Sequence, residues 1–199
     1  MTVVEIWQID LTAPVAGAVA LLSADERARA ARMAAPERWI AARAALRVVL
    51  AQRLDTTPQA VTITTTAHGK PELPGPGARL RFNHSHSGDR ALIALAEAVE
   101  VGVDVERTSR RSNAVERALT PGEAATLHAA GDRHLALLQT WCRKEALAKA
   151  RGDGLGWAPQ DVDTTTADDH VLLDLRLDAG YVGALAVAAA RARVSYRRL

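Results

Sequence analysis

The chain is poor in several things that would point to particular chemistries. Among its 199 residues there is one cysteine, Cys142, so no disulfide can form within the chain, and the expectation is a reducing compartment, the cytoplasm. Aromatic residues make up only 4%, too few for a row of stacking platforms that would hold single-stranded nucleic acid. No nucleic-acid partner is expected. Glycine-rich phosphate loops are absent: neither G-x-G-x-x-G nor G-x-x-x-x-G-K-[ST] occurs, so any phosphate must be held by side chains and a cation. The opening MTVVEIWQIDL has no basic stretch ahead of a long apolar core and does not read as a signal peptide. The alanine-rich run from Gly183 to Ala190 is far too short to span a bilayer, and no membrane association is expected. Charge is nearly balanced, with 25 basic and 23 acidic residues. The 48% hydrophobic content suffices for a core.

What is present alternates between helical and extended patterns. Ser23-Ala24-Asp25-Glu26 has the spacing of a capping box and predicts a short helix to about Ala34. Pro36 opens a longer helix to about Leu54, with Trp39, Leu46 and Leu50 on its apolar stripe and Arg43 on the same stripe. Val3–Leu11 and Val61–Thr66 read as strands, and His68–Gly77, with its prolines and glycines, as loop. Leu80–Asn83 and Ala91–Ala96 predict strands, and Val99–Glu106 alternates strictly. Thr120-Pro121-Gly122-Glu123 is a second capping box, and a helix is expected over Arg133–Arg151, stopped by Gly152. The tail predicts strands at about 161–166, 170–177 and 181–190. A long helix followed by strands occurs twice, which allows an internal duplication with halves at 1–98 and 99–199.

Four short segments carry polar groups in patterns that suggest chemistry. In Gly102-Val103-Asp104-Val105-Glu106 the valines point one way, and Gly102, Asp104 and Glu106 the other. Two carboxylates on one strand face coexist if a cation sits between them or if water screens them. Gly102 is read as leaving room for a ligand to approach the backbone. On the 133–151 helix, Glu145 and Lys149 continue the stripe of Leu135, Leu138, Trp141 and Cys142, as a site would require or as an ordinary i,i+4 ion pair would. Phe82-Asn83-His84-Ser85-His86-Ser87 is a polar strand end able to hydrogen-bond an anion through Ser85 and His86. Its histidines lack zinc-site company, because only one cysteine is present. His68-Gly69-Lys70-Pro71 is a turn presenting a lysine.

Taken in order, Gly69-Lys70-Pro71, Phe82 to Ser87, Val101 to Glu106 and Trp141 to Lys149 resemble the motifs of 4′-phosphopantetheinyl transferases of the surfactin-synthetase type, and Tyr181 to Ala186 resembles that family's last core strand. The resemblance implies an α+β protein whose two similar halves are related by a pseudo-two-fold axis, with one site in the cleft between them. It implies an enzyme, a monomer, that moves the phosphopantetheine arm of coenzyme A onto a serine of an apo acyl or peptidyl carrier protein, as in fatty acid, polyketide or nonribosomal peptide synthesis. By the same resemblance Asp104, Glu106 and Glu145 are expected to hold Mg2+, or Mn2+ in its place, and Lys149 to contact the diphosphate. Lys70, Ser85 and His86 would bind other parts of coenzyme A, Arg29 the 3′-phosphate, and Glu145 would be either base or ligand. Arg43 is added from its position on the helix stripe. Glu26 stands where the family pattern has a basic residue. A coenzyme A diphosphate hydrolase and a non-catalytic carrier-binding protein are the alternatives. The segment Arg107–Leu127, with arginines around Ala114, Val115, Ala118 and Leu119, is the expected carrier-docking rim.

Overall fold

The computed structural model describes residues 1–13, 15–111, 113–154, 158–166 and 169–199, with only the backbone of Asn113 and Ala114. The chain is α+β. It begins with β1 (Thr2–Asp10), followed by α1 (Ala18–Leu21), α2 (Ala24–Ala30) and α3 (Glu37–Leu54). A two-residue ladder, β2 (Thr64–Thr65) with β3 (Pro71–Glu72), leads into the hairpin of β4 (Leu80–Ser87) and β5 (Arg90–Glu97). Then come β6 (Val101–Arg107), α4 (Asn113–Arg117), α5 (Pro121–His128), α6 (Arg133–Arg151), β7 (Val171–Asp174), β8 (Tyr181–Val187) and β9 (Ala192–Arg198).

The period-2 alternation of the strands dictates the layering. One sheet has the order β4-β5-β1-β9, the other β6-β8-β7. On the first sheet, Ile9, Ala91, Ile93 and Leu95 pack against Leu46, Val49 and Leu50 of α3. The opposite face, Val4, Ile6, Leu92 and Ala94, packs against Val101, Val103 and Val105 of β6 and Leu185 of β8. The far face of the second sheet, with Val182, Ala184 and Ala186, carries Leu138, Cys142, Ala146 and Leu147 of α6. The order of layers is therefore helix, sheet, sheet, helix. Each fully buried aliphatic side chain contributes roughly 1.5–3 kcal/mol. The edge strands β4 and β6 meet, and the Asn83 side-chain carbonyl accepts from the Val103 N–H at 3.0 Å. This junction brings the polar ends of both strands together. Among the described residues no helix is long and apolar enough to cross a membrane.

Both capping boxes form. Ser23 accepts from the Glu26 N–H while Glu26 accepts from the Ser23 N–H, and Thr120 and Glu123 do the same. Several expectations need correction. α2 ends at Ala30, and Pro36 is the cap of α3 rather than its first residue. The 61–66 strand shrinks to Thr64–Thr65, because its partner strand includes Pro71, which has no N–H to extend the ladder. β4 runs on through the histidine motif to Ser87. Residues 161–166 form turns, since the Asp163 carboxylate accepts from both the N–H and the hydroxyl of Thr165 and offers the backbone an alternative to a ladder. β9 was not anticipated. It pairs in parallel with β1 from Thr2↔Ala192 to Gln8↔Arg198, so the last strand of the chain completes the first sheet.

Gly102 plays a different part from the one read in the sequence. A Cβ there would lie 2.0 Å from the Ala146 carbonyl oxygen and 2.4 Å from the Ala150 nitrogen. The missing side chain admits the backbone of α6, not a ligand.

Lys144, inside the Trp141–Lys149 motif, is fully buried. Its Nζ lies 2.7 Å from Glu123 Oε2 and donates to the carbonyls of Pro159 and Val162. The other Glu123 oxygen accepts from the N–H and hydroxyl of Thr164. This network ties α5, α6 and the 159–164 segment together, and removing one member strands a buried charge. Lys144→Ala is expected to cost about 3–5 kcal/mol of stability, read as a lowered urea midpoint at unchanged m-value. A midpoint within error of wild type would contradict this.

Candidate active site

A cavity of about 700 Å³ lies where the polar ends of β4 and β6 meet α6, with α2 and α3 forming the opposite wall. Each wall is basic or acidic for a local reason. Arg29 is held by its guanidinium stacking 5.4 Å above the Trp39 ring. Arg43 and Arg47, one turn apart on α3, both pair with Glu26. Arg47 also donates to the carbonyls of Pro58 and Val61, at 2.8 and 3.0 Å. Burial alone would raise the pKa of Glu26, but the Arg47 contact, the Ser23 N–H and Arg43 together hold it below the usual carboxylate range. Glu26 therefore does not remove positive charge from this wall so much as fix where Arg43 sits. Arg47 was missed in the sequence; the signal was its place four residues after Arg43 on the same stripe.

The other wall holds the acidic motif. Asp104 and Glu106 point away from the valine core toward α6, as the alternation requires. Lys149 Nζ lies 2.6 Å from Asp104 Oδ1 and 3.9 Å from Glu145 Oε2. The Ser85 hydroxyl donates to the same Asp104 oxygen at 2.7 Å. Ser87 donates to Glu106 at 2.9 Å, and Glu106 also pairs with Arg110, which stacks over Trp141 at 5.7 Å. Burial pushes the Glu145 carboxyl up; Lys149 opposes that and Asp104 adds to it.

Arg29, Arg43, Ser85, His86, Asp104, Glu106, Glu145 and Lys149 thus line one cavity. Lys70 does not. Its Nζ is bound to Glu100 Oε2 at 2.5 Å and to the Ala150 carbonyl at 2.9 Å, and it lines an adjoining cavity of about 670 Å³. The two cavities share Gly69, Pro71, His84, Glu145 and Lys149. Arg110 and His84 were not singled out as site residues from the sequence.

Whether the acidic wall suits a divalent ion can be tested on its own atoms. Among the described residues no three His, Cys, Asp or Glu side chains converge as a ready ligand set, and Asp104 and Glu106 are each paired with a cationic side chain. Yet Asp104 Oδ2 is enclosed and has no hydrogen-bond partner. An orphaned buried carboxylate oxygen is costly unless something positive reaches it. Carboxylate oxygens, with water and phosphate oxygens, are the donors magnesium takes. The residues fit such an ion, provided Glu106 exchanges Arg110 for it.

The expected carrier rim is changed. Val115 and Ala118 are buried, Val115 in one cluster with Leu127 and Leu137, so they are not an exposed apolar patch; the Ala114 side chain lies outside the described residues. Arg107, Arg111 and Arg117 remain exposed, while Arg110 turns into the cavity.

Comparison with known proteins shows the family. Residues 100–182, which carry the acidic strand and α6, match the 4′-phosphopantetheinyl transferase superfamily. The chain is 33% identical to the 4′-phosphopantetheinyl transferase HetI of Nostoc sp. over 207 residues, covering 93% of this chain and 87% of HetI. It is 36% identical over 161 residues to the 4′-phosphopantetheinyl transferase AcpT of Escherichia coli K12, covering 76% of this chain and 78% of AcpT. The protein slr0495 of Synechocystis sp. is also 36% identical over 161 residues, and the match spans 65% of that protein's length. The chain belongs to the 4′-phosphopantetheinyl transferase superfamily.

Proposed function

We propose that this protein is a 4′-phosphopantetheinyl transferase of the surfactin-synthetase type. It moves the phosphopantetheine group of coenzyme A to a serine of an apo acyl or peptidyl carrier protein. The observation that carries this reading is the enclosed, unpartnered oxygen of Asp104, set beside Lys149 in a cavity whose facing wall presents Arg29 and Arg43. Such a cavity suits a ligand with phosphates at one end and a reacting diphosphate at the other.

Asp104 and Glu106 would hold the magnesium ion, or manganese in its place, which supplies charge neutralisation at the diphosphate when bound, and Glu145 is left to act as the base. Lys149, now on Asp104, adds a positive charge at the reacting phosphorus. Arg29 and Arg43 hold the 3′-phosphate, and Ser85 and His86 orient the nucleotide from β4. Burial raises the pKa of Glu145, which suits it to take the proton of the carrier serine. The serine Oγ–phosphorus bond forms, the bond from that phosphorus to the oxygen of 3′,5′-ADP breaks, and the serine proton goes to Glu145. The exposed arginines Arg107, Arg111 and Arg117 attract an acidic carrier and speed its encounter.

Chromatography of the nucleotide products tests the reaction type. With coenzyme A and magnesium, 3′,5′-ADP is expected only when an apo carrier protein is also present. Release of 3′,5′-ADP together with free phosphopantetheine in the absence of carrier would make the protein a hydrolase instead.

A further inference from the structure

His84 has no role in the scheme above, yet one of its ring nitrogens is enclosed without a partner. It lies on β4 between Asn83, which ties β4 to β6, and Ser85, which holds Asp104. The pleat turns it to the opposite face, where its ring lines both cavities at their junction. Its Nδ1 is enclosed without a hydrogen-bond partner, and among the described residues Nε2 has none either. Burial, followed by the positive charges of Arg43, Lys149, His86 and Arg29, holds its pKa down at about 3, so the ring is neutral at physiological pH. A neutral imidazole carries one N–H. Orphaned buried N–H groups are rarer than under-satisfied acceptors, which assigns the hydrogen to Nε2, the nitrogen that is not enclosed.

A neutral donor ringed by cations and lacking any protein acceptor is matched to an anionic acceptor from outside the chain. We propose that His84 is a ligand-binding residue of the nucleotide site, donating its Nε2 hydrogen to a phosphate oxygen of coenzyme A. The proposal rests on the phosphopantetheinyl transferase reading for the identity of the ligand. Because the contact is made to bound substrate and not to the transferring bond alone, it acts on binding more than on turnover.

Isothermal titration of the whole protein with coenzyme A and with dephospho-coenzyme A, in magnesium, tests this. His84→Leu is expected to weaken coenzyme A about tenfold or more, as loss of a hydrogen bond to a charged group does. The ligand-free protein is expected to melt no lower than wild type, because an unpaired polar group has been removed. His84→Gln, which keeps a side-chain donor, is expected to recover most of the affinity. Steady-state assays of the same variants are expected to show the loss in KM, with kcat retained. If the contact is to the 3′-phosphate, the difference between wild type and His84→Leu vanishes with dephospho-coenzyme A; if it is to the diphosphate, the difference persists. Should His84→Leu not fold, His84→Phe, which keeps ring volume without a donor, takes its place. Wild type and donor-less variant binding coenzyme A equally, or a variant that only lowers the melting temperature, would overturn the role of His84. Wild-type protein that binds no coenzyme A would instead overturn the transferase reading.

Discussion

Gly102→Ala is expected to leave the chain without its native fold. Its new methyl group would meet the Ala146 carbonyl oxygen at 2.0 Å and the Ala150 nitrogen at 2.4 Å. Both are backbone atoms of α6, so no side chain can rotate away. The helix would have to retreat by an ångström or more, on the scale of van der Waals separations. That retreat opens the packing of Cys142, Ala146 and Leu147 on β8. It also carries Glu145 and Lys149 away from Asp104. Overpacking in a well-filled core typically costs about 1–3 kcal/mol when side chains can adjust, and here they cannot. Circular dichroism and thermal melting check this. A variant that melts with wild type would show that α6 does not sit against β6 as described.

Asp104→Ala acts in the opposite way, leaving the fold and removing the chemistry. Asp104 lines the cavity and faces away from Val101, Val103 and Val105, so its loss leaves that core cluster intact. Lys149, its ion-pair partner, is 27% exposed and can turn to water or to Glu145. What disappears is the carboxylate that anchors Lys149, Ser85 and, on the proposed reading, the metal ion. Loss of one preorganised electrostatic element costs about 10²–10³ in rate, and loss of a metal ligand is expected to cost at least that in kcat. The measurement is carrier modification by Asp104→Ala in saturating magnesium, with the melting temperature as a control for folding. Turnover close to wild type by a folded variant would remove Asp104 from the site.

Much of the site was readable because it rests on short-range periodicity. Two-residue alternation in Val101–Glu106 separated core from cavity, and 3.6-residue periodicity placed Glu145 and Lys149 on one face of α6, where Lys149 meets both Asp104 and Glu145. The capping boxes at Ser23 and Thr120 formed because their hydrogen bonds are local. What failed depended on distant partners. β9 is an arginine-rich, half-exposed edge strand, and nothing in its own pattern announces the parallel pairing with β1. Lys144 was not singled out in the sequence; its burial depends on Glu123 and on two carbonyls further along the chain. Lys70 matched a motif, but its ammonium is bound by Glu100 and the Ala150 carbonyl. Thr164 to Thr166 have strand-forming side chains, and the Asp163 carboxylate beside them makes a turn.

The central claim, transfer of phosphopantetheine to a carrier serine, is tested most directly by intact-mass spectrometry of an apo carrier protein. The carrier is incubated with coenzyme A, magnesium and this protein, alongside the same carrier with its acceptor serine replaced by alanine. The expected result is a gain of one phosphopantetheine group on the wild-type carrier, none on the alanine variant, and none when magnesium is chelated. Apo carriers of acyl and peptidyl type that all keep their starting mass, with protein shown to bind coenzyme A, would contradict it.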